Sequence, residues 1–356
     1  AIYWIATFIA MKGIGWVGKI SKWGGLVGTI IPAGLLILLG IIYLASGGVN
    51  HMDMTQGFFP DLASLDNIVL ASSIFLFYAG MEMMGVHVMD VDNPSKNYPK
   101  AIIIGSMATV CIFILGTFAL GVIIPAKDIN LTQSLLIGFD NFFRYLHISW
   151  AGPVIAVALM FGVLASVLTW VAGPSKGIFT VGKAGYLPPF FQKSNKNGVQ
   201  SNILLLQGGI VTLLSLLFVV MPSVQSFYQI LSQLTILLYL IMYMLMFAAA
   251  IVLRYKMKDA PRPFRLGKGN MLMWVMGAMG FIGSLAAFVL SFIPPGQINI
   301  GNKVVWYSVL VAGCIIMVVI PLLIYAMRKP TWRNPSSEFA PFHWEPPVDD
   351  GPGISR

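Results

Sequence analysis

Charge is scarce in this sequence of 356 residues: Asp, Glu, Lys and Arg together make up 10% of it, against roughly 25% in a soluble domain. There are only two cysteines, Cys111 and Cys314, each inside an apolar stretch without metal-ligand spacing, so neither a disulfide framework nor a thiolate metal site is implied. The sequence has no HExxH, no GxSxG elbow, no pair of Asp residues within an apolar segment and no Cys–His pairing. Those absences argue against an enzyme and call for no metal or organic cofactor. It also opens without Met, charged leader or cleavage signature, on the apolar run AIYWIATFIAMKG. A chain that starts inside a helix already in progress is expected to be an N-terminally truncated fragment.

What fills the chain instead is hydrophobic residue, 57% of the total. Apolar runs of about 20 residues recur, the length needed to cross ~30 Å of hydrocarbon with every backbone N–H paired inside a helix. The class is therefore an all-α polytopic membrane protein. Spans are expected at 24–46, 67–90, 101–125, 150–172, 202–221, 226–254, 271–293 and 304–327, eight in all, with a partial helix at 1–11. The span at 150–172 should continue towards Gly185, because Lys176 can snorkel at its end. A transmembrane domain over 1–329 would then be followed by a proline-rich, polar, extended tail at 330–356. Between spans, 126–148 has room for a short interfacial helix.

The formal charge of +9 is distributed by topology. Nineteen of the 22 Lys and Arg fall on one set of alternate loops and the C-terminus, leaving only Lys127, Arg144 and Lys303 on the other. The positive-inside rule puts the basic loops and the C-terminus in the cytoplasm. Nucleic acid is not needed to explain the charge, and lipid binding by the basic clusters is a weaker alternative.

One span stands apart. In DNIVLASSIFLFYAGMEMMGVHVMDVDNP, Glu82 is the only carboxylate deep inside any span, at an insertion cost of about 3 kcal/mol. Tyr78, Ala79, Gly80, Met81 and Glu82 form the expected break, where Gly80 allows the helix to unwind beside a midplane site. The alternative is a neutral Glu packed on a neighbouring helix, with glycines that merely permit close contact. His87 and Asp90, one or two turns on, are either part of a proton or substrate path or ordinary interfacial polar groups. Ser166 and Trp170 share a helix face at a spacing of four, as do Tyr239 and Tyr243. Three aromatic rings aimed at one cavity can close over an amino acid, giving π faces to an ammonium and hydroxyls to a carboxylate. From spacing alone, ordinary helix packing explains them equally well.

The motif FYAGMEMMGVHVMDVDNPSKNYPKA and the segment VLASVLTWVAGPSKGIFTVGKAGYLPPFFQKSNKNGVQ resemble the sixth and eighth helices, with their following loops, of bacterial glutamate/γ-aminobutyrate antiporters in the amino acid–polyamine–organocation superfamily. The similarity runs from residue 1 to about 327. It implies two inverted five-helix repeats plus two further helices, with residues 1–11 as the end of the fourth helix, about three helices absent, and an incomplete site. It also implies that Trp170, Tyr239 and Tyr243 match aromatic positions of the transport path. Ser166 stands where that family has an acidic residue, which puts strict glutamate/γ-aminobutyrate exchange in doubt. The resemblance implies a bacterial inner-membrane exchanger of amino acids, linked to acid resistance through a cytoplasmic amino-acid decarboxylase. A proton-coupled amino-acid importer is the alternative, and a non-transporting sensor a further one. By the same resemblance the tail could plug the cytoplasmic entrance, with His343 as a second pH-sensing candidate beside His87.

Overall fold

The structure, a computed structural model, describes residues 1–52, 63–74, 78–130, 132–220, 223–258, 262, 264, 265, 267, 269–294 and 302–334. Among them every regular element is helical: α1 (Ile2–Ala10), α2 (Ile14–Gly25), α3 (Ile31–Ala45), α4 (Leu65–Ser73), α5 (Pro94–Ile123), α6 (Ser134–Tyr145), α7 (Ala151–Val181), α8 (Ser201–Ser215), α9 (Val224–Lys256), α10 (Met271–Leu290) and α11 (Lys303–Ala326). Six continuous helices among the described residues are long and apolar enough to cross a membrane: Ile14–Ala45, Pro94–Ile123, Ala151–Tyr186, Val224–Lys256, Met271–Leu290 and Lys303–Ala326. The spans expected at 67–90 and 202–221 are not among these six. The first is interrupted after α4, and the second is the 15-residue α8 tightened into a 3₁₀ turn at Leu216–Val220.

Proline chemistry explains one local irregularity. Between α2 and α3 the helix widens to π hydrogen bonding over Leu26–Ile30. Pro32 has no N–H for the carbonyl of Gly28 four residues back, and its ring would crowd that carbonyl in a regular helix. The wide turn relieves the clash and keeps the 32-residue helix continuous.

Small residues set the crossing of α2 and α7. Ser21 Oγ lies 2.8 Å from Thr169 Oγ1. A Cβ at Gly24 would come 2.2 Å from that of Ala165, and a Cβ at Gly28 would come 2.2 Å from the backbone nitrogen of Gly162. The paired numbers rise on one helix as they fall on the other, the register of an antiparallel pair. Without a hydrophobic drive between helices in lipid, such backbone approach supplies the packing energy. Around it sits a buried cluster of Ala6, Ala10, Val17, Leu168, Val171 and Leu204.

A second cluster joins α3, α5 and α6 through Leu39, Tyr43, Ala119, Phe139, Phe142 and Phe143. The short helix expected in 126–148 is therefore present as α6, with its Phe face buried and Leu135 and Leu136 exposed. A third cluster, Ile230, Leu234, Leu237, Trp306 and Leu310, holds α9 to α11. Elsewhere Ile103, Met107, Val157, Met160, Leu213 and Met279 are among many large apolar side chains exposed along the spans, which is the surface a bilayer covers. Cys111 is exposed and Cys314 is buried, and both are free thiols.

Helix α7 continues as expected beyond 172, passing through a π turn at Gly182–Tyr186, with Gly185 at φ 93°. The chain after α11 folds back onto this end. Gln192 Nε2 donates to the carbonyl of Trp332 at 2.5 Å, Asn334 N donates to that of Lys183 at 3.2 Å, and Tyr186 stacks on Tyr325. The beginning of the expected tail is thus pinned beneath α7. The remainder of the tail, with His343, and half of the loop at 47–66 lie outside the described residues.

Candidate functional site

The helix that starts as α4 ends at Ser73, and a 3₁₀ segment runs from Met81 to Asp90. Between them Gly80 takes φ 113°, ψ −10°, a left-handed conformation open to a residue without Cβ. Space makes the same demand, since a Cβ there would lie 3.1 Å from Cζ2 of Trp170. Further along, Cβ atoms at Gly173 and Gly177 of α7 would meet Met83 and Val86 at 3.3 and 3.4 Å, so these glycines bring the 3₁₀ segment against α7.

The break frees backbone donors, and Glu82 takes one. Gly80 N donates to Glu82 Oε2 at 3.0 Å and leans on the Tyr243 hydroxyl at 3.4 Å. Tyr243 in turn donates to the same Oε2 at 2.9 Å. The other oxygen, Oε1, is buried and has no hydrogen-bond partner among the described residues. Burying an unpaired carboxylate oxygen costs several kcal/mol, so the arrangement favours a cation or donor arriving at Glu82.

Aromatic rings continue outward from this point. Trp170 meets Tyr239 edge-on at 6.1 Å, Tyr239 meets Tyr243 at 5.8 Å, and Tyr243 meets Phe247 at 6.5 Å. Glu82 also lines a cavity of about 420 Å³ between the 3₁₀ segment, α5 and α9, to which Tyr78, Met81, Tyr98, Tyr243 and Phe247 contribute.

Gly80, Glu82, Trp170, Tyr239 and Tyr243 therefore come together, and Tyr78 and Met81 line the adjacent cavity. Ala79 is half-buried beside Gly80. Ser166 is exposed on α7, one turn from Trp170, and is not among the cavity-lining residues. The backbone of His87 belongs to the 3₁₀ segment, while its side chain lies outside the described residues. Tyr98, Ile102, Met246 and Phe247 went unnoticed in the sequence. Phe247 was within reach, because it extends the Tyr239–Tyr243 stripe by one more step of four. Tyr98 lies in the basic stretch SKNYPK, which reads as a loop but forms the first turns of α5. No described group of His, Cys, Asp and Glu could hold a metal ion.

The amino acid permease family matches over residues 1–320. The chain is 34% identical over 322 residues to an uncharacterized transporter of Legionella pneumophila, covering 90% of this chain and 69% of that protein. A glutamate/gamma-aminobutyrate antiporter of Lactococcus lactis is 30% identical over 332 residues, 92% of this chain and 66% of its own length. A probable agmatine/putrescine antiporter of the same species is 24% identical over 296 residues, 82% and 62% respectively. The chain thus spans about two thirds of the length of these relatives. The family match over nine tenths of its length and the 34% identity to the Legionella transporter place the chain in the amino acid permease family, a family of membrane transporters and not of enzymes.

Proposed function

We propose that this protein acts as a secondary exchanger that swaps an amino acid for a related amine or amino acid by alternating access. The observation that carries the reading is Glu82: a membrane-embedded carboxylate, fixed through Oε2 by Gly80 and Tyr243, with Oε1 unpaired beside an aromatic cavity. An ammonium group satisfies that oxygen and meets π faces around it. Alternating access requires a helix that can bend at the site, and the Gly80 break supplies the flexible point.

Glutamate exchanged for γ-aminobutyrate is the specific pair favoured by the relatives of 30% identity. With Ser166 in place of an acid, substrates whose cationic end relies on Glu82 alone fit the chain as well as that pair. If the internal product comes from decarboxylation, each cycle removes a proton equivalent, which connects exchange to a cytoplasmic decarboxylase and to acid resistance. The bias of basic loops supports a bacterial inner-membrane orientation with the C-terminus inside.

In proteoliposomes of the protein, labelled amino acid should enter saturably only when amine or amino acid is preloaded inside. A panel of glutamate, γ-aminobutyrate and a diamine identifies the pair by counterflow. Equal uptake into empty vesicles, driven by an imposed proton gradient, would replace exchange with proton-coupled import.

A further inference from the structure

A second cavity, of about 430 Å³, opens at the ends of α9 and α10 on the side that carries the basic loops. Its rim bears three guanidinium groups, those of Arg254, Arg262 and Arg265, and its walls are apolar, with Leu253, Phe264 and Met273. We infer that this cavity holds the headgroup of an anionic phospholipid.

Two of the arginines are fixed by hydrogen bonds. Arg262 donates to the carbonyls of Leu253, Met257 and Lys258, closing the C-terminal turn of α9, where the partial negative charge of the helix end favours a cation. Arg254 donates through Nε to Asn270 Oδ1 at 2.8 Å and reaches the Gly269 carbonyl at 3.5 Å, tying α9 to the start of α10. Arg265 is exposed and makes no hydrogen bond or ion pair among the described residues. Charge around them is one-sided, since residues 254–270 contain six Lys and Arg and a single acid, Asp259. A topology signal needs basic residues only near a helix end. It does not need a cavity, or guanidinium groups held in place as those of Arg254 and Arg262 are, and those features are what make this a binding site.

The level of the cavity and its walls select a lipid. Trp274 Nε1 donates to the hydroxyl of Tyr255 at 2.7 Å on the exposed surface of the same two helices, the kind of amphipathic aromatic pair that sits among headgroups. Beyond the rim, Leu253 and Phe264 are exposed, and Met276 and Met279 continue the apolar surface along α10. A phosphodiester at the rim therefore has a surface for its acyl chains below it, which inorganic phosphate would leave unused. Basic pockets between helices on the side of anionic headgroups bind lipids in this way.

Native mass spectrometry of the purified full chain, released from nanodiscs of phosphatidylcholine doped with phosphatidylglycerol, tests the site. Phosphatidylglycerol should remain bound in preference to phosphatidylcholine. Arg265→Gln should weaken that retention about fivefold, the effect of one lost cation near the lipid surface. Lys256→Gln, at the last residue of α9 and outside the cavity lining, should leave it unchanged. Equal losses in the two variants would reduce the effect to diffuse surface charge and overturn the site. Binding of inorganic phosphate alone, with displacement of the phospholipid, would overturn the lipid assignment in favour of a free anion.

Discussion

Exchange should fall about 10- to 100-fold in Glu82→Gln, while the variant inserts and remains monodisperse. Glutamine is nearly isosteric, and its carbonyl still accepts from Gly80 N and from the Tyr243 hydroxyl, so the break itself survives. What disappears is the charge that an incoming ammonium needs. A hydrogen bond to a charged group contributes about 1.5–3 kcal/mol, which sets the range. Tyr243→Phe should act through the same carboxylate by removing its hydroxyl donor and leaving Oε2 to Gly80 alone. Its loss should be about tenfold, and the double variant should lose less than the product of the two single losses. Counterflow with an amine-bearing substrate, measured at matched protein density, checks all three. Unchanged flux in Glu82→Gln would remove Glu82 from the substrate path, whatever the fold.

How much of this site could be read from the sequence depends on what each residue reports. Glu82 and Gly80 were legible because a carboxylate and an adjacent glycine contradict their apolar surroundings, and such contradictions usually have a functional cause. Trp170, Tyr239 and Tyr243 were legible as faces, because helical spacing fixes direction along one helix. Which faces meet is a property of packing between helices, and a span that is apolar all round carries no periodic signal for it. Ser166 illustrates the point: it shares Trp170's face at a spacing of four, yet the small cavity beside Glu82 opens elsewhere. The spans themselves followed from length and hydropathy, except where the helix is interrupted. There the described residues of a run of suitable length, 67–90, include an α-helix that ends at Ser73 and a 3₁₀ segment from Met81, because hydropathy is blind to backbone conformation. The arginine cavity was out of reach for a related reason. Basic loop residues announce topology first, and only the packing of the helix ends distinguishes guanidinium groups held by hydrogen bonds from solvated ones.

Gly28→Ala should cost about 3 kcal/mol, at the upper end of the usual range for overpacking. A single methyl group there would lie 2.2 Å from the nitrogen of Gly162, 2.3 Å from its Cα and 2.5 Å from the carbonyl oxygen of Ala158. All three atoms are backbone, so no side chain can swing aside and α2 must move away from α7. Gly25, three residues earlier on the same helical rod, has nothing within 4 Å of an added Cβ. Gly25→Ala should therefore be neutral or stabilising by up to about 1 kcal/mol, since alanine favours the helix over glycine. Thermal unfolding in detergent, followed by loss of the monodisperse peak, compares the pair directly. Equal melting points for the two variants would mean that the Gly28–Gly162 approach does not hold the helices together. The consequence for function follows from register. Thr169, hydrogen-bonded to Ser21 across the same crossing, immediately precedes Trp170, and Trp170 lies against Gly80. A displaced α7 carries Trp170 away from the break, so Gly28→Ala should reduce exchange even at temperatures where the protein remains folded, whereas Gly25→Ala should not.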